Sequence, residues 1–308
     1  MKKIIILISI ICPGKNSFAV SKEVIAIVTR ADSFLHEGEN IAAIELYRKA
    51  QSQDSTIYHN IYNLACAYAQ NRQIDSSFKY LALAMQKNTT EQPLADPDFL
   101  PLHMDSRWAG FENKLIAQIQ KKYEHPISDE SYTKALLRLH ALDQAYYRDI
   151  NLAEKRMGRN SSIVFSLWDL KSRINDETQK ELEILINKKG WPKISNVRNQ
   201  AASAAFLIIQ HADLDKQKKY LPVIKKYCEE GEAEWQSYAL MYDRVQVSQN
   251  KPQKYGSQVH FNPLTNKEEL YPLEDDTKVN EYRKAAGMGS LEDYLMNWNI
   301  KWEPQIKK

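Results

Sequence analysis

Residues 22–88 repeat themselves with a period of 34. Ala31, Phe34, Ala43, Tyr47 and Ala50 recur as Ala65, Tyr68, Ser77, Leu81 and Ala84. Small residues let two helices approach closely and aromatic rings fill the space beside them, so the repeated unit reads as a pair of packed helices. Such a unit buries its apolar face only against its neighbour, which makes stacking obligatory. The pattern places helices at 22–36, 40–52, 57–70 and 74–87. Gly38-Glu39-Asn40 and Asn71-Arg72-Gln73 form the turns inside each pair.

The period and the alternation of small and aromatic positions resemble tetratricopeptide repeats. That resemblance implies a groove for an extended protein or peptide partner. Two units are fewer than such arrays need to stand alone, so a closing element is required. The stretch from Pro93 to Pro101 interrupts the pattern, after which Asp105 is expected to cap a helix carrying Trp108, Phe111, Leu115 and Ile119. His125-Pro126, followed by Ser128-Asp129, marks a boundary. The expected organisation is a targeting segment at 1–19, repeats with a closing helix at 20–125, and a second domain at 126–308.

The second domain reads as helical, at 129–156, 161–188, 195–211, 215–229 and 232–249. Gly190-Trp191-Pro192 is a stop, because glycine accepts a left-handed cap and proline cannot continue a helix. Gly231 separates two later helices, and Pro252 ends the last long one. Residues 258–261 and 270–273 can pair as a small hairpin, and short helices close the chain at 279–286 and 291–298. The fold class is therefore mainly α: tetratricopeptide-like helical hairpins followed by an α-helical domain with a small β-hairpin.

Lys2-Lys3, an apolar run at 4–11 and Ser17-Phe18-Ala19 read as a signal peptide cleaved after Ala19. The run is too short to span a bilayer, and no other stretch is long and uncharged enough. The expectation is an exported protein, periplasmic or secreted; acylation at Cys12 is the less favoured alternative, since the residue before it is bulky. Loss of residues 1–19 removes three lysines and no acid, taking the formal charge from +3 to zero. A neutral chain of mixed-sign helices has no electrostatic footprint for nucleic acid. Cys66 and Cys228 each sit among apolar helical residues and read as free buried thiols, in preference to a disulfide. No Cys/His spacing suits structural zinc, and no nucleotide-binding glycine loop or serine-nucleophile elbow occurs, so no metal or cofactor is expected.

Chemistry-bearing residues concentrate late in the chain. An uncharged helix at 201–209 runs into Gln210, His211 and Asp213. The negative helix end and Asp213 would favour the charged imidazole, which suits a general acid or base; Asp213 reads equally as the cap of the next helix. Asp243 and Arg244 close another apolar run and must be paired, each with its own partner, because adjacent helical residues diverge. His211 is a candidate partner for Asp243, and Asp143 or Asp213 for Arg244. Gln253, Tyr255 and Gln258 surround Gly256 in an amide-rich turn that suits a small polar ligand, or that satisfies its own backbone. Asp143, Gln144 and Arg148 add polar groups about a turn apart.

Five of these pieces together resemble a bacterial domain family of uncharacterised function over about residues 130–300. They are Asp143-Gln144 with Arg148, Gly190-Trp191-Pro192, Gln210-His211-Ala212-Asp213, Asp243-Arg244, and Tyr255-Gly256-Ser257-Gln258. Ser257 stands where threonine is usual, and Val197-Arg198 where Val-Gly is common. The resemblance implies one shared pocket and names no reaction. Two readings follow. One is a binding or scaffolding protein with a repeat groove and a polar pocket. The other is a hydrolase-like enzyme in which His211 is the general base, Asp243 orients it, and Arg244 and Gln258 bind substrate or steady developing negative charge. The second requires His211, Asp243, Arg244 and Gln258 to share one solvent-reached hollow.

Overall fold

The computed structural model describes residues 21–123 and 127–304. The expected signal peptide and Cys12, and His125-Pro126 of the expected boundary, lie outside the described residues. Among the described residues, packing groups the chain into two compact units that meet at Ile174 and Asn175, inside a single long helix.

The first unit begins with helices α1 (Lys22–His36), α2 (Asn40–Gln53), α3 (Tyr58–Gln70) and α4 (Ile74–Lys87), within a residue of the expected bounds. Each consecutive pair packs together, α2 against α3 as well as α1 against α2 and α3 against α4. The repeated positions are the reason: Ala31 and Ala65, Ala43 and Ser77, Tyr47 and Leu81, and Ala50 and Ala84 are all completely buried. Ser77 keeps its hydroxyl satisfied by donating to the Ala65 carbonyl.

No continuous helix follows in the inner layer. The prolines divide it into α5 (Gln92–Ala95), a 3-10 turn (Pro97–Phe99) and α6 (Leu100–His103), of which the turn and α6 pack on α3. Phe99 is sealed in the core with its ring edge-on to Tyr62. Asp105 does not cap α7 (Trp108–Lys122) as expected: Arg107 is the N-cap residue and Asp105 accepts from its amide, while α7 buries Trp108, Leu115 and Ile119 and leaves Phe111 half-buried. Asp129 caps α8 (Glu130–Gln144), and α8 packs on α5 and the 3-10 turn.

The helix expected at 129–156 is broken. Tyr146 takes a left-handed conformation (φ +67°) between α8 and α9 (Tyr147–Met157), with neither glycine nor proline to announce the break. Helix α9 buries Ile150 and Ala153, and long side chains tie it down further: Arg148 to Asp98, Lys155 to Glu37 and Arg156 to Glu39. Helix α10 (Ser162–Lys189) then carries the chain out of the first unit and stops at Gly190, whose φ is +81°.

In the second unit the helix expected at 195–211 is also two pieces, α11 (Ile194–Val197) and α12 (Asn199–Gln210), separated by Arg198 at φ +69° and ψ 165°. Helices α13 (Leu214–Glu229) and α14 (Trp235–Ser248) pack on each other and on α12. The hairpin is present with strands of the expected length but a tighter loop, β1 (Val259–Asn262) and β2 (Lys267–Leu270), antiparallel with Val259 opposite Leu270. Helices α15 (Val279–Ala285) and α16 (Leu291–Met296) close the unit. Cys66 and Cys228 are free and buried. Among the described residues, no helix is long and apolar enough to cross a membrane.

Candidate functional site

In the second unit, the polar residues singled out by the sequence fall into two niches with different work. The first is the carboxylate of Asp243 on α14, which is completely buried. It accepts from the backbone amides of Lys254 (2.8 Å), Tyr255 (3.0 Å) and Ser257 (2.9 Å). Burial pushes its pKa up from 3.8, while those amides pull the other way. Arg283, 2% exposed, donates to the carbonyls of Tyr255 (2.8 Å) and Gly289 (2.7 Å) and supplies nearby positive charge.

Gln253 completes the knot. Its amide nitrogen donates to the carbonyls of Gln258 and Tyr271, and its amide oxygen accepts from the Gln258 amide. Gly256 lies at φ +66°, and a Cβ there would come within 2.8 Å of Leu291. Tyr255 stacks edge-on with Tyr242 and Tyr282, and the Gln258 side chain bonds Ser257 Oγ. Asp243 therefore anchors the turn through its main chain, and the expected pairing with His211 gives way to these amides. A carboxylate holding three amides has little left to orient an imidazole.

The second niche is the C-terminal end of α12. Arg244 Nη1 donates to the Gln210 carbonyl (2.8 Å), and Gln217 donates to the carbonyls of Gln210 and Ala212. Terminal helix carbonyls lack partners in their own helix, so these side chains finish α12. His211 is its half-buried C-cap residue. Asp213 is exposed and caps α13 by accepting from the Lys216 amide at 2.8 Å; it serves as a cap and not as a partner for Arg244. A slight cleft in this unit, with a cavity volume of only about 10 Å³, is lined by Trp191, Asn199, Ala202, Phe206, Glu234 and Ser237 among others. None of His211, Asp243, Arg244 and Gln258 lines that cleft.

Asp143, Gln144 and Arg148 belong to the first unit. Asp143 is completely buried, with Gln144 bonded to its carboxylate at 2.6 Å and Lys171 bonded to its carbonyl. The sequence reading missed Lys171, an ordinary lysine of a charge-rich helix that is fully buried here. Its ammonium lies 4.7 Å over the Tyr147 ring, and burial pulls its pKa down to about 8 against the pull of Asp143. Arg148 reaches Asp98 at 3.2 Å. Beside it, burial and the neighbouring Asp98 push Asp96 up to about 7, and Tyr62 donates to Asp96 at 2.7 Å.

A further cluster lies between α1 and α3, and no motif announced it. The Asp32 carboxylate accepts from Tyr47 Oη and from Asn63 Nδ2 (2.9 Å), and sits 2.9 Å from His59 Nε2. Burial raises the Asp32 pKa, but the bonds from His59, Tyr47 and Asn63 more than offset that and hold it low. The His59 side chain is 45% exposed and that of Asp32 36%, so this assembly faces solvent. The repeat offset explains it, because residues 32 and 63 lie on neighbouring turns of the first helices of two stacked pairs.

No curated protein and no solved structure matches the chain. Residues 132–303, more than half of the sequence, match one described protein family. The chain belongs to that family of unknown function, DUF6624.

Proposed function

We propose that the chain is an exported binding protein whose helical hairpins are tetratricopeptide repeats holding an extended polypeptide along the face shared by α1 and α3. The observation that carries this is the Asp32 cluster. Three helices supply Asp32, Tyr47, His59 and Asn63, and their mutual bonds fix the orientation of polar groups that still face water. Groups ordered before binding lose less entropy when a partner arrives. The outward imidazole and the amide oxygen of Asn63 can then meet peptide N–H and C=O groups.

Export is supported by Lys2-Lys3, the apolar run and Ser17-Phe18-Ala19. In the second unit, a small polar ligand is assigned in this reading to the α12 end, around His211 and Arg244. The hydrolase reading is not adopted, since the carboxylate meant to orient His211 is occupied by backbone amides. The test is selection of peptides from a random display library by the full chain, followed by anisotropy with the synthesised winner. Joint H59A and N63A replacement is expected to weaken binding about tenfold or more, which corresponds to about 1.4 kcal/mol. Equal binding by that variant, with its helicity intact, refutes the groove assignment.

A further inference from the structure

We infer that Cys66, Asp96 and Asp98 form a binding site for one divalent cation of the zinc class, a site separate from the proposed peptide face. One ligand atom from each residue lies within 4.8 Å of the other two. An ion at the centre of such a triangle is at most about 2.8 Å from each atom, so modest side-chain shifts reach the about 2.0–2.3 Å of zinc bonds to oxygen and sulfur. The three come from two elements that pack on each other. Cys66 is on α3, 2% exposed, and Asp96 and Asp98 flank Pro97 at the 3-10 turn packed on α3.

A second observation points to a missing partner. The hydroxyl of Tyr58, one turn before Tyr62 on α3, is buried and bonds to no atom among the described residues. It lies close enough to Asp96 and Cys66 to feel the charge of both. A buried oxygen left unpaired is costly, and an ion or its bound water supplies what it lacks. The carboxylates are held in place: Asp96 accepts from Tyr62 and from the Asp98 amide, Arg148 reaches one oxygen of Asp98, and the Cys66 thiol bonds the Asp98 carboxylate, a bond that the ion would replace. The Asp98 side chain is 23% exposed, which gives an ion a way in.

One thiolate with two carboxylates selects a zinc-class ion over calcium or magnesium, which prefer oxygen alone. Coordination exchanges the S–H bond of Cys66 for a sulfur–metal bond and releases that proton to solvent, with no change of oxidation state. The Cys/His spacings searched for in sequence do not cover this donor set, and Cys66 lies 30 or more residues from the two acids.

Cobalt(II) titration of the reduced full chain tests the site. A thiolate-to-cobalt charge-transfer band is expected in the unaltered chain, in C228S and in C12S, and is expected to vanish in C66S and to weaken at least about tenfold in apparent affinity in D96N. Zinc should displace the cobalt and raise the melting temperature by about 5 °C or more at saturation. Circular dichroism checks that C66S and D96N remain helical. A chain that shows neither band nor thermal shift overturns the assignment, and so does a band that survives in C66S.

Discussion

Replacing Asp243 asks whether the 254–257 turn depends on one carboxylate. The side chain is completely buried and receives the amides of Lys254, Tyr255 and Ser257; Tyr255 and Ser257 are themselves buried. In D243A, two buried amides lose their acceptor. Each unpaired buried donor costs about 1–3 kcal/mol, and the partly buried Lys254 amide adds less because water can replace the bond. Arg283 also loses its neighbouring counter-charge. Against this, the carboxylate no longer has to be desolvated, and its raised pKa shows that burial outweighs the amides in its charge balance. The net expectation is a loss of about 3–4 kcal/mol, near the upper end for a single substitution.

D243N separates acceptor from charge. It keeps one oxygen and the shape, but turns an NH2 group toward an amide donor, so a loss of about 2 kcal/mol is expected. The assay is urea unfolding of the full chain by circular dichroism, with hydrogen exchange read at residues 254, 255 and 257. Protection should collapse at those amides before the rest of the second unit opens. Within 1 kcal/mol of the parent, as set by the error of linear extrapolation, D243A would refute the anchoring role. Unchanged protection at residues 255 and 257 would refute it as well.

The remaining outcomes use other parts of the chain. G256A is expected to cost about 2–4 kcal/mol in urea unfolding, since it forces a φ of +66° on alanine and drives its methyl to 2.8 Å from Leu291. R198G is expected to stabilise by about 1 kcal/mol, seen as a higher melting temperature, because φ +69° with ψ 165° is essentially a glycine conformation. Lys171 has its pKa lowered to about 8, so between about pH 8 and 10.5 the unfolded chain binds more protons than the folded one. Stability relative to K171M should therefore rise across that window, by about 3 kcal/mol, and a flat difference curve would contradict the burial argument.

Much of the helical architecture was legible because it is written in residue size. Ala31, Ala43, Ala50, Ala65 and Ala84 are small where backbones touch, and a period of 34 survives even though Tyr47 is matched by Leu81 and Ala43 by Ser77. The helix breaks at Tyr146 and Arg198 were not legible, because both residues occupy positive φ where glycine or asparagine is the usual signal. The Val197-Arg198 departure was visible as an oddity, and in the structure Arg198 forms the break between α11 and α12.

Site residues were harder to read, for a different physical reason. Sequence shows that a polar side chain lies in an apolar helix and must be satisfied; it does not show whether side chains or backbone will satisfy it. Asp243 looked like half of a catalytic pair and proved to serve amides 11 to 14 residues along the chain. Asp213 looked ambiguous and is a cap. Lys171 looked like solvated charge and is completely buried beside Asp143. The Asp32 cluster left no local trace, because its four members come from three helices brought together by stacking. Polar groups in this chain thus divide by what faces them. Those met by main-chain amides and carbonyls hold turns and helix ends. Those met by other side chains, as at Asp32 and at Cys66, Asp96 and Asp98, leave lone pairs and protons free to engage something from outside. On that ground the search for a ligand belongs first in the repeat unit, ahead of the motif-rich turn of the second unit.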